Sequence, residues 1–187
     1  MSRSVIVRNL QRDVPRGHQK EYMEAAAGID RDAFRRTCAQ FATGIAVASV
    51  TGRDGSPFGL TVNSFTSVSC CPPLVLICID YRCTILSEFR ASSYYAVNVL
   101  SEDQLQTSVH FSESQGDRFD GIDWFRGTTG VPLLAGCAAT FECCVSQVVE
   151  AGDHAILIAE VVSAACRNVN PLLYFGSSYR RLAGEGK

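Results

Sequence analysis

From Thr61 to Ser69 nearly every second side chain is a hydroxyl or an amide: Thr61-Val62-Asn63-Ser64-Phe65-Thr66-Ser67-Val68-Ser69. The run lies between apolar stretches, where a core strand would carry Val and Ile. In extended conformation Thr61, Asn63, Ser67 and Ser69 face one way while Val62, Ser64, Thr66 and Val68 face the other. Such a row can offer hydrogen bonds to phosphate oxygens and to a polyhydroxyl chain without carrying net charge. A solvated edge strand rich in β-formers would have the same composition.

Gly152-Asp153-His154 is the second feature. It reads either as a hairpin turn with a polar pair or as an imidazole held by its neighbouring carboxylate at a strand start and aimed into a cleft. Arg118-Phe119 follows a helical stretch in a long loop, where an Arg is either solvated or able to close over an anion. Only His18, His110 and His154 are present, so few imidazole mechanisms are open; His110, at helical spacing beside apolar neighbours, suits a structural role. GxGxxG after a strand, Walker A, GxSxG and HExxH motifs are all absent. Nine cysteines include no CxxC pair, and most sit in apolar runs such as LVLICID, where a thiol acts as a small hydrophobe. No metal is expected. The thiols fit a reducing cytoplasm.

Those residues need a scaffold. The chain has 187 residues, 47% hydrophobic, with Lys+Arg 17 against Asp+Glu 19. This is one domain's worth of sequence, and the slight negative balance offers no basis for nucleic-acid or anionic-membrane binding. No apolar stretch approaches the roughly 20 residues that span a bilayer, and Arg3, Arg8, Arg12 and Asp13 interrupt any signal-like N-terminus. Residues 1–28 read as a flexible arm and 29–187 as the folded domain.

Asp30 is expected to cap a helix carrying Phe34, Cys38 and Phe41. Strands are expected over 45–51, across an extended run 58–69, over 74–80 buried on both faces, and over 94–100. Short helices are expected over 84–91 and 102–111, with loop from 112 to 136. A hairpin, 137–149 with 154–166 about the turn 150–153, closes the domain before a final segment, 171–182. Many strands, few short helices and no βαβ alternation predict a mainly β fold, a closed or partly closed barrel.

The segments together resemble the short-chain flavin reductase family, whose fold is the FMN-binding split β-barrel. The matching pieces are FRRTCAQFATGIAVASVTG, GLTVNSFTSVSCCPPLVLICID, YYAVNVLSEDQ, DRFDGIDWFRGTTGVPLLAGCAATFECCV, GDHAILIAEVVSA and PLLYFGSSYRRL, from about Asp30 to Leu182. TxNSFTSVSxxPPL and GDHxI at this separation form a specific signature.

The resemblance implies a site, position by position. Thr61, Val62, Asn63 and Ser64 would border the isoalloxazine ring, and Ser67 and Ser69 would lie toward the ribityl chain and phosphate. Cys83 and Thr84, in Tyr81-Arg82-Cys83-Thr84, would contact the phosphate near a helix start, where many relatives carry Ser at the place of Cys83. Phe111, Arg118 and Phe119 would cover the flavin from the other side. His154, beside Asp153, would lie by the nicotinamide as an orienting or electrostatic group, with Tyr179 nearby.

It further implies an NAD(P)H-dependent reductase of FMN or FAD, with NADH or NADPH as reductant. The hydride would pass between the two cofactors, so the protein needs neither nucleophile nor metal, only orientation and well-placed donors. A homodimer and a partner monooxygenase complete the expectation. A flavin-binding split barrel without turnover is the alternative, for which the GDH turn would have no use.

Overall fold

A computed structural model describes residues 29–112 and 118–183. The arm expected over 1–28 lies outside the described residues. The chain divides into two units at Gln40 and Phe41. In the first, α1 (Arg31–Cys38) starts where expected: the Asp30 carboxylate accepts from the Ala33 amide at 3.3 Å. It stops at Cys38 rather than reaching Phe41, and it buries none of its residues.

The second unit is built on strands: β1 (Thr43–Gly44), β2 (Ala46–Thr51), β3 (Pro57–Val62), β4 (Thr66–Cys70), β5 (Pro73–Asp80), β6 (Tyr94–Val99), β7 (Trp124–Arg126), β8 (Pro132–Leu134), β9 (Ala139–Ala151), β10 (His154–Cys166), β11 (Leu173–Phe175) and β12 (Ser178–Arg180). Two helices, α2 (Leu86–Ala91) and α3 (Leu105–Ser112), interrupt them. Seven strands form one antiparallel sheet in the order β3-β2-β6-β9-β10-β5-β4. Its two edge strands, β3 and β4, are consecutive in sequence and joined only by residues 63–65. The four Cα steps from Val62 to Thr66 span at most about 14 Å, so the sheet must curl until its edges approach each other at one end. No β3–β4 ladder closes it. This is the split of a split barrel, and it breaks the single extended run expected over 58–69.

Inside the curl pack Ala46, Ala48 and Val50 of β2, Val75, Ile77 and Ile79 of β5, Tyr95 and Val97 of β6, Cys143 of β9 and Ala155, Leu157 and Ala159 of β10, capped by Leu86 and Phe89. A second cluster on the outer face of β2 holds Ile45, Val47, Leu100, Phe111, Phe119, Leu134, Cys137 and Leu172. Because β2 is covered on both faces, its burial is continuous rather than alternating. β5 does the reverse of what its apolar run suggests. Val75, Ile77 and Ile79 are buried, whereas Leu74, Leu76 and Cys78 are half-buried on the outer face.

The expected loop 112–136 contains a hairpin, β7 with β8, whose Pro132, Leu133 and Leu134 are buried. Polar side chains of the main sheet hold it. Asn98 donates to Val47 O and Ser49 Oγ and accepts from the Leu134 amide; Ser49 in turn donates to Pro132 O. Among the described residues no helix is long and apolar enough to cross a membrane. All nine cysteines are free thiols.

Gly59 of β3 marks a close approach. A Cβ there would stand 2.7 Å from the Phe111 ring and 3.2 Å from Phe119, both buried and stacked edge-on with centroids 5.1 Å apart. Neither ring has space to yield. Gly59→Ala is expected to destabilise the fold by about 1–3 kcal/mol, since overpacking outweighs the entropy an alanine saves; a melting temperature equal to or above that of the parent chain would contradict this.

Candidate functional site

β5 ends at Asp80, where the register sets His154 of β10 directly opposite. The β9–β10 ladder continues to the pair Ala151–His154, so the turn is just Gly152-Asp153. Gly152 adopts φ +60°, a backbone state that suits glycine. Tyr81 N donates to Asp153 O at 3.0 Å, tying this turn to the chain leaving β5.

Asp153 Oδ1 lies 2.6 Å from His154 Nδ1. An ionised carboxylate can only accept, so Nδ1 carries the proton and Nε2 is left for a ligand. That hydrogen bond, before the neighbouring charge, also holds the Asp153 carboxyl below its ordinary range. Asp80 is held lower still, first by the Arg82 side chain, which reaches both its oxygens, then by the Arg82 amide. Asp80, Asp153 and His154 have the donor types of a metal site, with ligand atoms within 4.8 Å of one another. Asp80 is committed to Arg82 and His154 Nδ1 to Asp153, so these hydrogen bonds account for the cluster.

The polar run arrives at the same end. Ser64 Oγ accepts from Cys78 N at 3.0 Å and donates to Cys78 O at 3.1 Å, taking the place of a ladder partner on β5. Cys78 is two residues, roughly 7 Å, from Asp80. Asn63 beside it is exposed, and its amide has no partner among the described residues. Thr61 Oγ1 donates to Ser108 O, and Ser108 Oγ meets Tyr179 OH at 2.9 Å, so β3, α3 and β12 are laced together behind the link. Val62 is buried and can offer only its backbone.

Some expected partners separate. Ser67 and Ser69 pair with Val75 and Leu74; Leu74 lies six residues, about 20 Å, along β5 from Asp80. Ser69 Oγ accepts from Cys71 N, while Ser67 is exposed. Cys83, half-buried, and Thr84, exposed, stay at the Asp80 end because Cys83 N returns to Asp80 O. Ser69 therefore does not join Thr84 and His154.

Phe111 and Phe119, expected to cover the flavin, lie in the core. Both are core residues, 0% and 5% exposed, packed behind Gly59 instead of presenting a face outward. Arg118 is spent on structure, donating to Gly59 O at 2.8 Å, and its carbonyl meets His110 Nε2 at 3.0 Å. These contacts brace β3 from behind, and His110 is the structural residue expected. The list drawn from sequence omitted Asp80, which only strand register brings to His154, and Ser108, which joins Thr61 to Tyr179.

The group that remains is a compact set at one end of the barrel: the open link 63–65, the turn 81–84, and His154 with its carboxylates. Edge strands leave backbone groups unpaired, and Asn63 and Thr84 add side-chain donors that have no partner among the described residues.

Residues 38–183 match the family model described as flavin reductase like domain. The chain belongs to that family. The FMN reductase (NADH) SmoA of Agrobacterium fabrum is 37% identical over 165 residues, covering 88% of this chain and 94% of that protein. The NADH-dependent FAD reductase of Streptomyces globisporus is 39% identical over 162 residues, 83% and 88% of the two chains. The solved NADH:FAD oxidoreductase from Streptomyces globisporus, in complex with NAD and FAD fragments, superposes with a TM-score of 0.80 at 39% identity, covering 84% of this chain and 96% of its own. The chain spans 66% of the stachydrine N-demethylase reductase subunit and 51% of a probable flavin reductase, both of Rhizobium meliloti.

Proposed function

We propose that this chain is an NAD(P)H:flavin oxidoreductase, which takes a hydride from NADH or NADPH to FMN or FAD and supplies reduced flavin to a partner monooxygenase. Family membership supports the reaction class. The observation that carries the reading is His154, its Nδ1 bonded to Asp153 and its Nε2 left for a ligand, beside the open edge at Asn63 and Ser64.

Flavin supplies the hydride-accepting centre when bound. The protein's part is placement. Asn63, the edge backbone of 61–64 and Thr84 offer donors and acceptors to the flavin, while Ser67 lies farther along β4. Ser64, fastened to Cys78, keeps the link rigid, and the Thr61–Ser108–Tyr179 lacing sets the wall behind it. His154 holds the nicotinamide, with Asp153 fixing its tautomer. Aligning two rings in this way removes much of the entropic barrier to transfer.

The half-buried outer face of β5 and β10 supports a homodimer. Cys78 pairs with Ile156 and Leu76 with Ile158 across that ladder, leaving apolar side chains partly in water. The cytoplasm, where reduced nicotinamide is made, is the proposed location.

Mixing the purified chain with each flavin and each nicotinamide, while following absorbance of the reduced nicotinamide, tests the reading. Loss of NADH or NADPH that requires added flavin is expected, and none in any of the pairings would refute it. Asn63→Ala with Ser67→Ala should weaken flavin binding by about 1–3 kcal/mol, or roughly 5- to 150-fold in Kd, as two net hydrogen bonds are lost. Fluorescence titration giving the parental Kd would remove these residues from the site.

A further inference from the structure

Two carboxylates that differ in freedom have ligand atoms within 4.8 Å of the His154 ring. Asp153 occupies the two-residue turn with its side chain 78% exposed, and among the described residues His154 is its only side-chain partner. Asp80 sits on β5, its side chain 26% exposed. It is clamped: Arg82 Nε reaches its two oxygens at 3.0 and 3.1 Å, Arg82 Nη2 lies at 2.5 Å, and the Arg82 amide donates to Oδ1 at 2.8 Å. A pinned carboxylate and a loose one thus bracket the same imidazole, with ligand atoms of all three within 4.8 Å of one another.

Two consequences follow from charge. A fixed negative charge on the neighbouring strand limits the directions in which the ring's proton-bearing edge can point, which the turn carboxylate alone cannot do. Yet two uncompensated carboxylates would repel the diphosphate of a dinucleotide at the place where the nicotinamide must enter. Arg82, 74% exposed at its side chain, cancels one of them, and among the described residues its Nη1 has no partner.

We propose that Asp80, clamped by Arg82, is the positioning residue for His154, and that Arg82 keeps this end of the barrel from repelling the nicotinamide dinucleotide. The proposal rests on the reading of His154 as the nicotinamide-facing group. Asp80 touches neither substrate. It acts through the imidazole.

The test combines NADH kinetics at low and high salt, flavin titration, and nitrogen-15 NMR of the His154 ring, whose signals are assigned by their loss in His154→Ala. Arg82→Met is expected to raise KM for NADH by about 5- to 10-fold, the scale of one surface charge interaction, with kcat within about twofold. The rise should shrink at high salt, as screening requires. Asp80→Asn is expected to raise KM for NADH more than it lowers kcat and to shift the His154 ring signals in the ligand-free protein, while flavin Kd is unchanged. Asp80→Asn should be silent in a His154→Ala background, whereas Arg82→Met should still raise KM there, because charge repulsion does not pass through the imidazole.

Unchanged ring signals in Asp80→Asn would overturn the proposal, as would an Asp80→Asn effect that persists in full without the imidazole or an Arg82→Met KM indifferent to salt. Equal NADH oxidation by the parent and by His154→Ala would instead overturn the reading of His154. The ring signals are read without substrate, so the two failures are distinguishable.

Discussion

His154→Ala should lower kcat/KM for NADH by about 10- to 100-fold, or about 1.4–2.8 kcal/mol of transition-state stabilisation, while flavin Kd changes by less than about twofold. The size follows from what the side chain does. It orients and polarises, and the bonds that break and form belong to the two substrates, so its loss should fall short of the collapse seen when a covalent nucleophile is removed. The selectivity follows from geometry. His154 opens β10 at the turn, whereas the donors proposed for the flavin stand on the link 63–65 and on β4. Most of the loss should appear in KM for NADH, with kcat partly recovered at saturating reductant, because a misplaced nicotinamide can still be driven into the site. Stopped-flow measurement of flavin reduction across NADH concentrations checks this. A rate unchanged at both limiting and saturating NADH would show that the imidazole faces something else.

Much of this site is legible in the sequence because its parts are local. GDH is a turn signal whose glycine takes φ +60°, and the polar run 61–69 announces a strand that does not belong in a core. What was not legible depends on partners far along the chain. Every residue from 58 to 69 is compatible with a strand, so nothing local marks the break at 63–65; it exists because Ser64 reaches Cys78. The hairpin β7–β8 is hidden by its glycines and Pro132, and its anchors, Ser49, Asn98 and Glu142, lie on other strands. Phe111, Arg118 and Phe119 have structural contacts that the sequence does not announce. An arginine and aromatics near a loop look like a cover for a ligand, and only the missing Cβ of Gly59 reveals that the rings pack inward. Asp80 and Arg82 carry no local signal at all, since their meaning comes from the β5–β10 register.

Glu142→Ala should be the most damaging single change to stability, costing about 2–4 kcal/mol. The carboxylate is 3% exposed, yet it accepts from Thr128 N and Oγ1 at 3.1 and 3.0 Å and from Thr129 N and Oγ1 at 2.7 and 2.6 Å. Truncation strands two backbone amides in a partly dry turn and opens a cavity beside Gly127, whose Cα approaches the carboxylate so closely that a Cβ would stand 2.6 Å from it. At roughly 2–4 °C per kcal/mol for a chain of this size, melting should fall by about 5–15 °C. The effect has a pH signature. Burial alone would raise this carboxyl above its ordinary 4.5, but the hydrogen bonds from Thr129 and Thr128 reverse that and hold it lower. A carboxyl more acidic in the folded chain than in the unfolded one stabilises fully above the unfolded value, and that contribution disappears as pH falls through the folded one. Glu142→Gln, which keeps the shape and removes the charge, should therefore lie below the parent by a constant margin above about pH 6 and converge on it in acid. Parallel denaturant titrations of the two proteins from neutral to acidic pH measure the margin directly; a gap that widens on acidification would mean that the threonines hold a protonated acid.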